Sequence, residues 1–483
     1  MTRNSKLTLL ILLSWLLVLV CTNHGGADQP NIVVILVDDM GYGDAGCYNA
    51  NSKIPTPNID SLARDGIRFT DAHAPGPLCH LSRYGLITGE YPFRATTGKW
   101  RQQPSIKTGQ MTIASLLKSN GYQTAMVGKW HLGFHENGYD KPLTGGPIDV
   151  GFESYFGIRA STDIPPYFYI RGDRAVQAPT KAIAAVASEG WSPIQGEFSR
   201  EGLIAPDLEL KDVLPKFTDE AVKVIDHHAK TKTEKPLFLY LAYPAPHTPW
   251  LPSAEFKGKS KASMYGDFTN MVDANVGKIL KSLDQNSMTR NTIVVFTSDN
   301  GPVWYEKDVE KYDHDSSGGL RGMKADAWEC GHRMPFLVRW PGVAKAGSTS
   351  DHLVCFTDLM ATFSQMLGKE LPNNACPDSF SFLSQLDGSQ PAEQFPLRKN
   401  LVIQAGGKLK TVRKGKWKYI DGLGSGGFSK PKKVKPQPGE PTAQLYDLQS
   451  DIGETKNVFA DYPEIVAELK SELEKIVNAE SSR

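Results

Sequence analysis

The chain has 483 residues, with 54 Lys and Arg against 53 Asp and Glu, and 40% of its residues are hydrophobic. That length accommodates one large α/β domain plus a small one, with ample chain for a buried core. A net charge of +1 gives no electrostatic basis for binding nucleic acid or an anionic membrane, and 10% aromatic residues argue against general disorder.

The first predicted element is an export signal. Arg3 and Lys6 precede the apolar run Leu7–Val20, and Gly25, Gly26 and Ala27 follow, so residues 1–27 read as a secretory signal peptide. The run is short for a membrane span, and no other segment is read as one. Lipid attachment at Cys21 is the minority reading, because the preceding Val20 is bulky. The chain has no Asn-x-Ser/Thr sequon, which favours a bacterial envelope protein, periplasmic or secreted. Beyond the signal remain Cys47, Cys79, Cys330, Cys355 and Cys376, with no C-x-x-C spacing. An odd number leaves at least one thiol unpaired within a monomer.

From Asn31 to about Ser384, short apolar runs alternate with amphipathic stretches, the pattern of an α/β fold with a sheet flanked by helices. Strands are expected at Ile32–Val37, Ile67–Ala72, Thr124–Val127, Leu237–Tyr243, Thr292–Thr297 and Phe336–Arg339. A helix is expected from Thr56, as N-cap before Pro57, to Gly66. Others are expected at Thr112–Ser119, Thr218–Ala229 and Ala262–Leu283. The Gly/Pro-rich stretch from Tyr139 to Ala205 reads as pocket-shaping insertions rather than regular core. After Gln385 come the candidate antiparallel strands Leu401–Gln404, Lys408–Arg413, Trp417–Ile420 and Gln444–Leu448, then a helix over Pro463–Asn478. The expected division is a signal over 1–27, a large α/β domain over 28–384 and a small α+β domain over 385–483.

In a parallel sheet, ligands bind beyond the carboxyl ends of the strands. Asp38 and Asp39, Lys129 and His131, His247, and Asp299 and Asn300 each follow one of four expected strands. Taken singly, each is as readily a turn, cap or surface group; Asp299-Asn-Gly301 is a turn signal in its own right. Taken together they are candidates for one site. Three carboxylates and an amide oxygen suit Ca²⁺ or Mg²⁺ better than zinc. Cys79 begins another expected helix with Arg83 one turn on, a place suited to an anion, although a buried apolar cysteine is the ordinary alternative.

The segment Cys79-His-Leu-Ser-Arg-Tyr-Gly-Leu-Ile-Thr-Gly89 resembles the C-x-P-S-R-x-x-x-L-T-G signature of type I sulfatases, in the alkaline-phosphatase-like superfamily. Leu81 stands where that signature has Pro. Similar matches to the family are Asn31–Asp44, Val127–Gly133, Pro246–Pro249, Ser298–Gly301, Leu320–Lys324 and Pro335–Gly342, with Gln444–Leu448 and Gly453–Asn457 near the end. The resemblance spans nearly the whole chain after the signal.

It implies an alkaline-phosphatase-like fold and an exported sulfuric ester hydrolase. Cys79 would be converted to formylglycine by a maturation enzyme, and the hydrated aldehyde would supply the nucleophile. One Ca²⁺ would be bound by Asp38, Asp39, Asp299, Asn300 and modified residue 79. Arg83 and Lys129 would stabilise the diol. His247 and Lys324 would bind sulfate and assist the leaving alcohol, and His131 would be the base that expels sulfate. A phosphonate or phosphodiester hydrolase and a catalytically weak sulfated-glycan-binding protein are the competing readings. The substrate expected from the envelope setting is a sulfated carbohydrate, with Ser154–Ile204 and the basic segment Gly422–Lys435 lining the outer pocket.

Overall fold

The computed structural model of the protein describes residues 29–188, 194–231 and 233–483. The expected export signal, with Cys21, lies outside the described residues. Strand Asn31–Asp38 is buried along its whole length, as its unbroken apolar run requires of a strand covered on both faces. It lies inside a ten-stranded sheet. Five neighbouring strands run parallel, in the order Thr292–Ser298, Asn31–Asp38, Leu237–Pro246, Gln123–Lys129 and Ser154–Ile158. Their carboxyl ends therefore open on one edge, where the candidate polar residues sit. Phe336–Arg339 and Ile67–Phe69 extend the sheet in antiparallel pairing on one side, and Tyr169–Arg171 on the other. Helices Val213–Thr231 and Ser263–Gln285 pack on each other and against strand Leu237–Pro246.

The structure corrects three expectations. Ser154–Ile158 is a strand of the main sheet, so the stretch read as insertions contributes to the core. The expected strand Ile67–Ala72 is broken, because Ala72–His73 leaves the main sheet to pair with Val354–Cys355. Thr56 does not cap helix Pro57–Arg64 with its side chain. Its Oγ1 is engaged elsewhere, accepting from the Gly46 N–H at 2.9 Å and donating to Asp60.

The capping carboxylate comes instead from Asp273, on helix Ser263–Gln285. It accepts from the backbone N–H groups of Asn58 at 3.0 Å and Ile59 at 2.8 Å, and from Asn58 Nδ2 at 2.7 Å. These are orphan donors of a helix start, so a carboxylate distant in sequence fills the role of a local cap. Asp273→Ala is expected to lower stability by about 2 kcal/mol in a urea melt, because buried N–H groups lose their acceptor. Burial pushes the Asp273 carboxyl up to about 6, so Asp273→Asn, which keeps one acceptor and removes the buried charge, should cost clearly less.

Strands Asn400–Gln404, Lys410–Lys414, Trp417–Ile420 and Gln444–Asp447 form a separate antiparallel sheet in sequence order. Helix Pro463–Asn478 buries Leu469, Leu473 and Ile476 against it, in a cluster that also takes in Tyr91 and Cys355 from the larger part. Buried ions join the two parts as well. Lys418 Nζ lies 3.0 Å from Glu329 Oε1 and 2.9 Å from Glu454 Oε1, and Arg413 pairs with Asp71. The five cysteines of the described residues are all free. Among those residues no helix is long and apolar enough to cross a membrane.

Candidate active site

The residues expected at the sheet edge come together in one buried cluster. Cys79 is the first residue of helix Cys79–Thr88, and its thiol lies 3.4 Å from Asp38 Oδ1. Arg83, one turn along the helix, is fully buried. Its guanidinium donates to Asp299 Oδ2 at 2.8 and 3.1 Å, to Asp38 Oδ2 at 3.0 Å and to the Lys129 carbonyl at 2.9 Å. Lys129 Nζ also donates to Asp38. Lys324 Nζ reaches both oxygens of Asp39, at 2.6 and 2.8 Å.

His247 Nδ1 lies 2.6 Å from the Thr248 carbonyl oxygen. A carbonyl only accepts, so Nδ1 carries a proton and Nε2 is left facing Asp39, 3.6 Å from its Oδ2. Asn300 Nδ2 donates to Asp39 Oδ1 at 2.6 Å, and Asn300 Oδ1 is buried with no hydrogen-bond partner among the described residues.

That orphaned amide oxygen tests the expected metal site. An amide oxygen is a donor suited to a hard cation, and Asp38, Asp39 and Asp299, the carboxylates expected with it, are buried as well. Ligand atoms of Asp38, Asp39, Cys79 and His247 all lie within 4.8 Å of one another. The oxygen-rich donor chemistry fits Ca²⁺, and Asp38, Asp39, Asp299, Asn300 and residue 79 are the residues that would hold it.

The charges carry the same message. Burial acts to raise the Asp38 carboxyl, but Lys129, His247, Arg83 and Lys324 overcome it and hold Asp38 well below the usual carboxylate range. Burial and the neighbouring Asp38 push Asp299 up, against Arg83 and Lys129. Two carboxylates in one dry site compete for the ionised state, a conflict that a bound divalent cation would relieve. Burial, then Asp299 and Asp38, push the Cys79 thiol well above its ordinary value. As a plain cysteine it stays protonated, a poor nucleophile.

His131 is buried against Trp100, whose ring meets it edge-on at 4.2 Å between centroids. Burial, with Lys129 beside it, drops the imidazole well below its ordinary value, and Nδ1 has no partner among the described residues. Held low in this way it is a neutral ring, the charge state a base requires.

Several contributors escaped the sequence reading. His80 packs near His131 and is lowered to about 4, chiefly by burial. Asp163 lies 3.9 Å from His247 Nδ1, in the stretch read as insertion. Asp39 adopts a left-handed backbone with φ 64°, an uncommon state for a non-glycine residue that its surroundings must hold. The single hydroxyl proton of Tyr265 is shared between Asp44 and the Asp39 carbonyl, 3.0 Å away, and Asp44 in turn accepts from the Gly41 N–H at 2.6 Å and lies 2.8 Å from His314 Nε2. Asp44 closes the matched segment Asn31–Asp44 and was visible there, whereas Tyr265 and His314 carry no local signal.

A second buried group, His73, Glu329 and His332, also has metal-ligand spacing. Lys418 Nζ lies 3.0 Å from Glu329 and 3.2 Å from His332 Nε2, and Arg413 Nη1 lies 3.0 Å from His73 Nε2. Cations already occupy the positions a metal would need, so this group is an ionic joint between the two parts. A cleft of about 780 Å³ lined by residues such as Lys107, His135 and Asp149 shares no residue with the candidate site.

The fold is an α/β sheet covered on both faces, with the polar cluster at the carboxyl ends of its parallel strands. The family model Sulfatase matches residues 30–369, and the chain belongs to the sulfatase family as an enzyme of the type I class. It is 32% identical to the N-acetylgalactosamine-6-O-sulfatase of Bacteroides thetaiotaomicron, over 94% of each chain. It is 31% identical to human arylsulfatase A, over 92% of this chain and 87% of the other. A solved Bacteroides thetaiotaomicron structure, from work on the metabolism of multiple glycosaminoglycans, superposes with a TM-score of 0.81 at 31% identity. That superposition covers 94% of this chain and all of the other. A further structure, Ps i-CgsB in complex with k-i-k-neocarrahexaose, gives 0.69 at 26% identity over 94% of both chains.

Proposed function

We propose that this sulfatase is exported, matures by oxidation of Cys79 to formylglycine, holds one Ca²⁺ and releases inorganic sulfate from a sulfated carbohydrate. The observation that carries the reading is the contact of residue 79, at a helix N-terminus, with a buried cluster of three carboxylates and three cations. When present, the cation supplies Lewis-acid polarisation of the sulfate and the hydrated aldehyde supplies the attacking oxygen.

The chain's own residues divide the remaining work. Arg83 fixes Asp38 and Asp299 while the helix start adds positive potential beneath the anion. Lys129 and Lys324 balance negative charge at the sulfate oxygens. His247 presents Nε2 as proton donor to the leaving alcohol, and His131 takes a proton at residue 79 as a neutral ring. The relatives named for N-acetylgalactosamine-6-sulfate and the neighbour holding a hexasaccharide support a sulfated glycan as substrate. The apolar run Leu7–Val20 behind Arg3 and Lys6 supports export to the periplasm or medium.

Maturation follows from burial. Cys79 is 4% exposed, and residues 81–89 of the signature are buried in the folded chain. The modifying enzyme must therefore act on the segment before it folds. Leu81 keeps an N–H bond to the Leu78 carbonyl at 2.9 Å and packs its side chain over Gly76, so it suits the folded helix start.

Mass spectrometry of the tryptic peptide Phe69–Arg83 from native host material should show the aldehyde form. Enzyme that releases sulfate while carrying only the thiol would overturn the nucleophile. Turnover of sulfate monoesters should exceed that of phosphodiesters, and the reverse would move the chain to the phosphorus-cleaving reading.

A further inference from the structure

Beside the catalytic cluster, both parts of the chain wall a second cavity of about 450 Å³. Leu78 and Ala325 line its inner side, and Gly427, Phe428, Lys432 and Lys433 line the outer side. Leu78 is bonded to Cys79 and Ala325 to Lys324, so the cavity adjoins two loops that carry the chemistry.

Its walls are fixed. Ala325 sits at φ 72°, with its N–H on the Pro77 carbonyl at 2.8 Å and its carbonyl on the Gly406 N–H at 2.9 Å. Asp326 Oδ1 accepts from Phe428 N at 2.7 Å and Ser429 N at 3.1 Å, and Ala327 N donates to the Ser425 carbonyl at 2.7 Å. A Cβ on Gly427 would lie 2.3 Å from the Ala325 backbone, so only glycine allows this approach.

Lys432 and Lys433 pair with no carboxylate among the described residues, as is also true of the flanking Lys430 and Lys435, but of these four only Lys432 and Lys433 line the cavity. Both are exposed, and Lys432 Nζ lies 5.9 Å from the centre of the half-buried Phe428 ring. Unpaired cations beside an aromatic face are suited to a sugar that carries an anion.

We propose that this cavity is a subsite for the sugar next to the one whose sulfate is cleaved, and that Lys432 and Lys433 recognise a carboxylate or second sulfate on it. The assignment rests on the sulfated-carbohydrate reading above.

The test compares the full enzyme with the double variant Lys432→Ala/Lys433→Ala. One probe is a small aryl sulfate; the other is a tetrasaccharide alternating uronic acid with 6-sulfated N-acetylgalactosamine. The variant should raise KM for the tetrasaccharide roughly tenfold, leave kcat and all aryl sulfate kinetics unchanged, and flatten the salt dependence of kcat/KM. A carboxyl-reduced tetrasaccharide names the anion: loss of the variant's effect assigns the carboxylate, and its persistence assigns the second sulfate. Equal KM for wild type and variant on the tetrasaccharide, or equal shifts on both probes, overturns the subsite.

Equilibrium binding of the tetrasaccharide is measured alongside. Should wild-type enzyme cleave no sulfate ester, the proposed function fails, while a roughly tenfold weaker dissociation constant for the variant would still support the subsite and equal binding would overturn it.

Discussion

Asp299→Ala should reduce sulfate release by about three orders of magnitude or more, with no rescue by added Ca²⁺. The carboxylate makes two contacts within the cluster: its Oδ2 accepts from Arg83 at 2.8 Å, and its Oδ1 accepts from the Asp39 N–H at 3.3 Å. Removing one partner of a buried ion pair costs about 3–5 kcal/mol when the other charge is left bare. Here Arg83 keeps Asp38 and the Lys129 carbonyl as acceptors, so the loss is smaller and the chain still folds. Asp299→Asn sharpens the result. Burial and Asp38 push the Asp299 carboxyl up, so the uncharged amide should melt no lower than metal-stripped wild type while remaining as inactive as the alanine variant. Calcium should raise the melting temperature of wild type and of neither variant. Sulfate release by Asp299→Ala within tenfold of wild type would displace Asp299 from the metal site.

What the sequence revealed and what it concealed divide along physical lines. The strands of the central sheet were legible because a strand buried on both faces must be apolar throughout, and Ile32–Val37 and Leu237–Tyr243 have no other way to satisfy that pattern. The cluster followed from the same fact, since polar residues immediately after such strands share one edge once the strands are parallel. The helix expected over Thr112–Ser119 was legible for a local reason: the structure has it at Ile113–Ser119, and the Thr112 side chain accepts from Ser115 N at its start. The misses are non-local. Asp273 caps a helix more than two hundred residues away, and Thr56 loses that role to it. Ser154–Ile158 is too short and too rich in Gly and Pro neighbours to declare itself, yet the second backbone edge of Gln123–Lys129 needed a partner for its N–H and C=O groups. Tyr265, Asp163 and His314 act only through a tertiary neighbour, which a single sequence does not display.

His131→Ala should lower kcat by about 10²- to 10⁴-fold, and the step it slows should be the second one. The leaving alcohol still departs with help from His247, so a single burst of alcohol is expected while the substrate's sulfate stays with the protein. Rapid-quench measurement of alcohol and sulfate together checks this; parallel release of both products would remove His131 as the base. The pH dependence gives a separate test, and its sign is set by burial. A base works as the neutral ring, so activity is lost as pH falls through the pKa of the folded enzyme. Burial and Lys129 place that value well below the ordinary 6.5, and a bound divalent cation presses it in the same direction. Wild-type kcat should therefore stay flat as pH drops through 6.5 and decline only in more acidic buffer, a limb that His131→Ala should lack. An acid limb centred at the ordinary histidine value would mean that the ring is open to water in the working enzyme, contrary to its packing edge-on against Trp100.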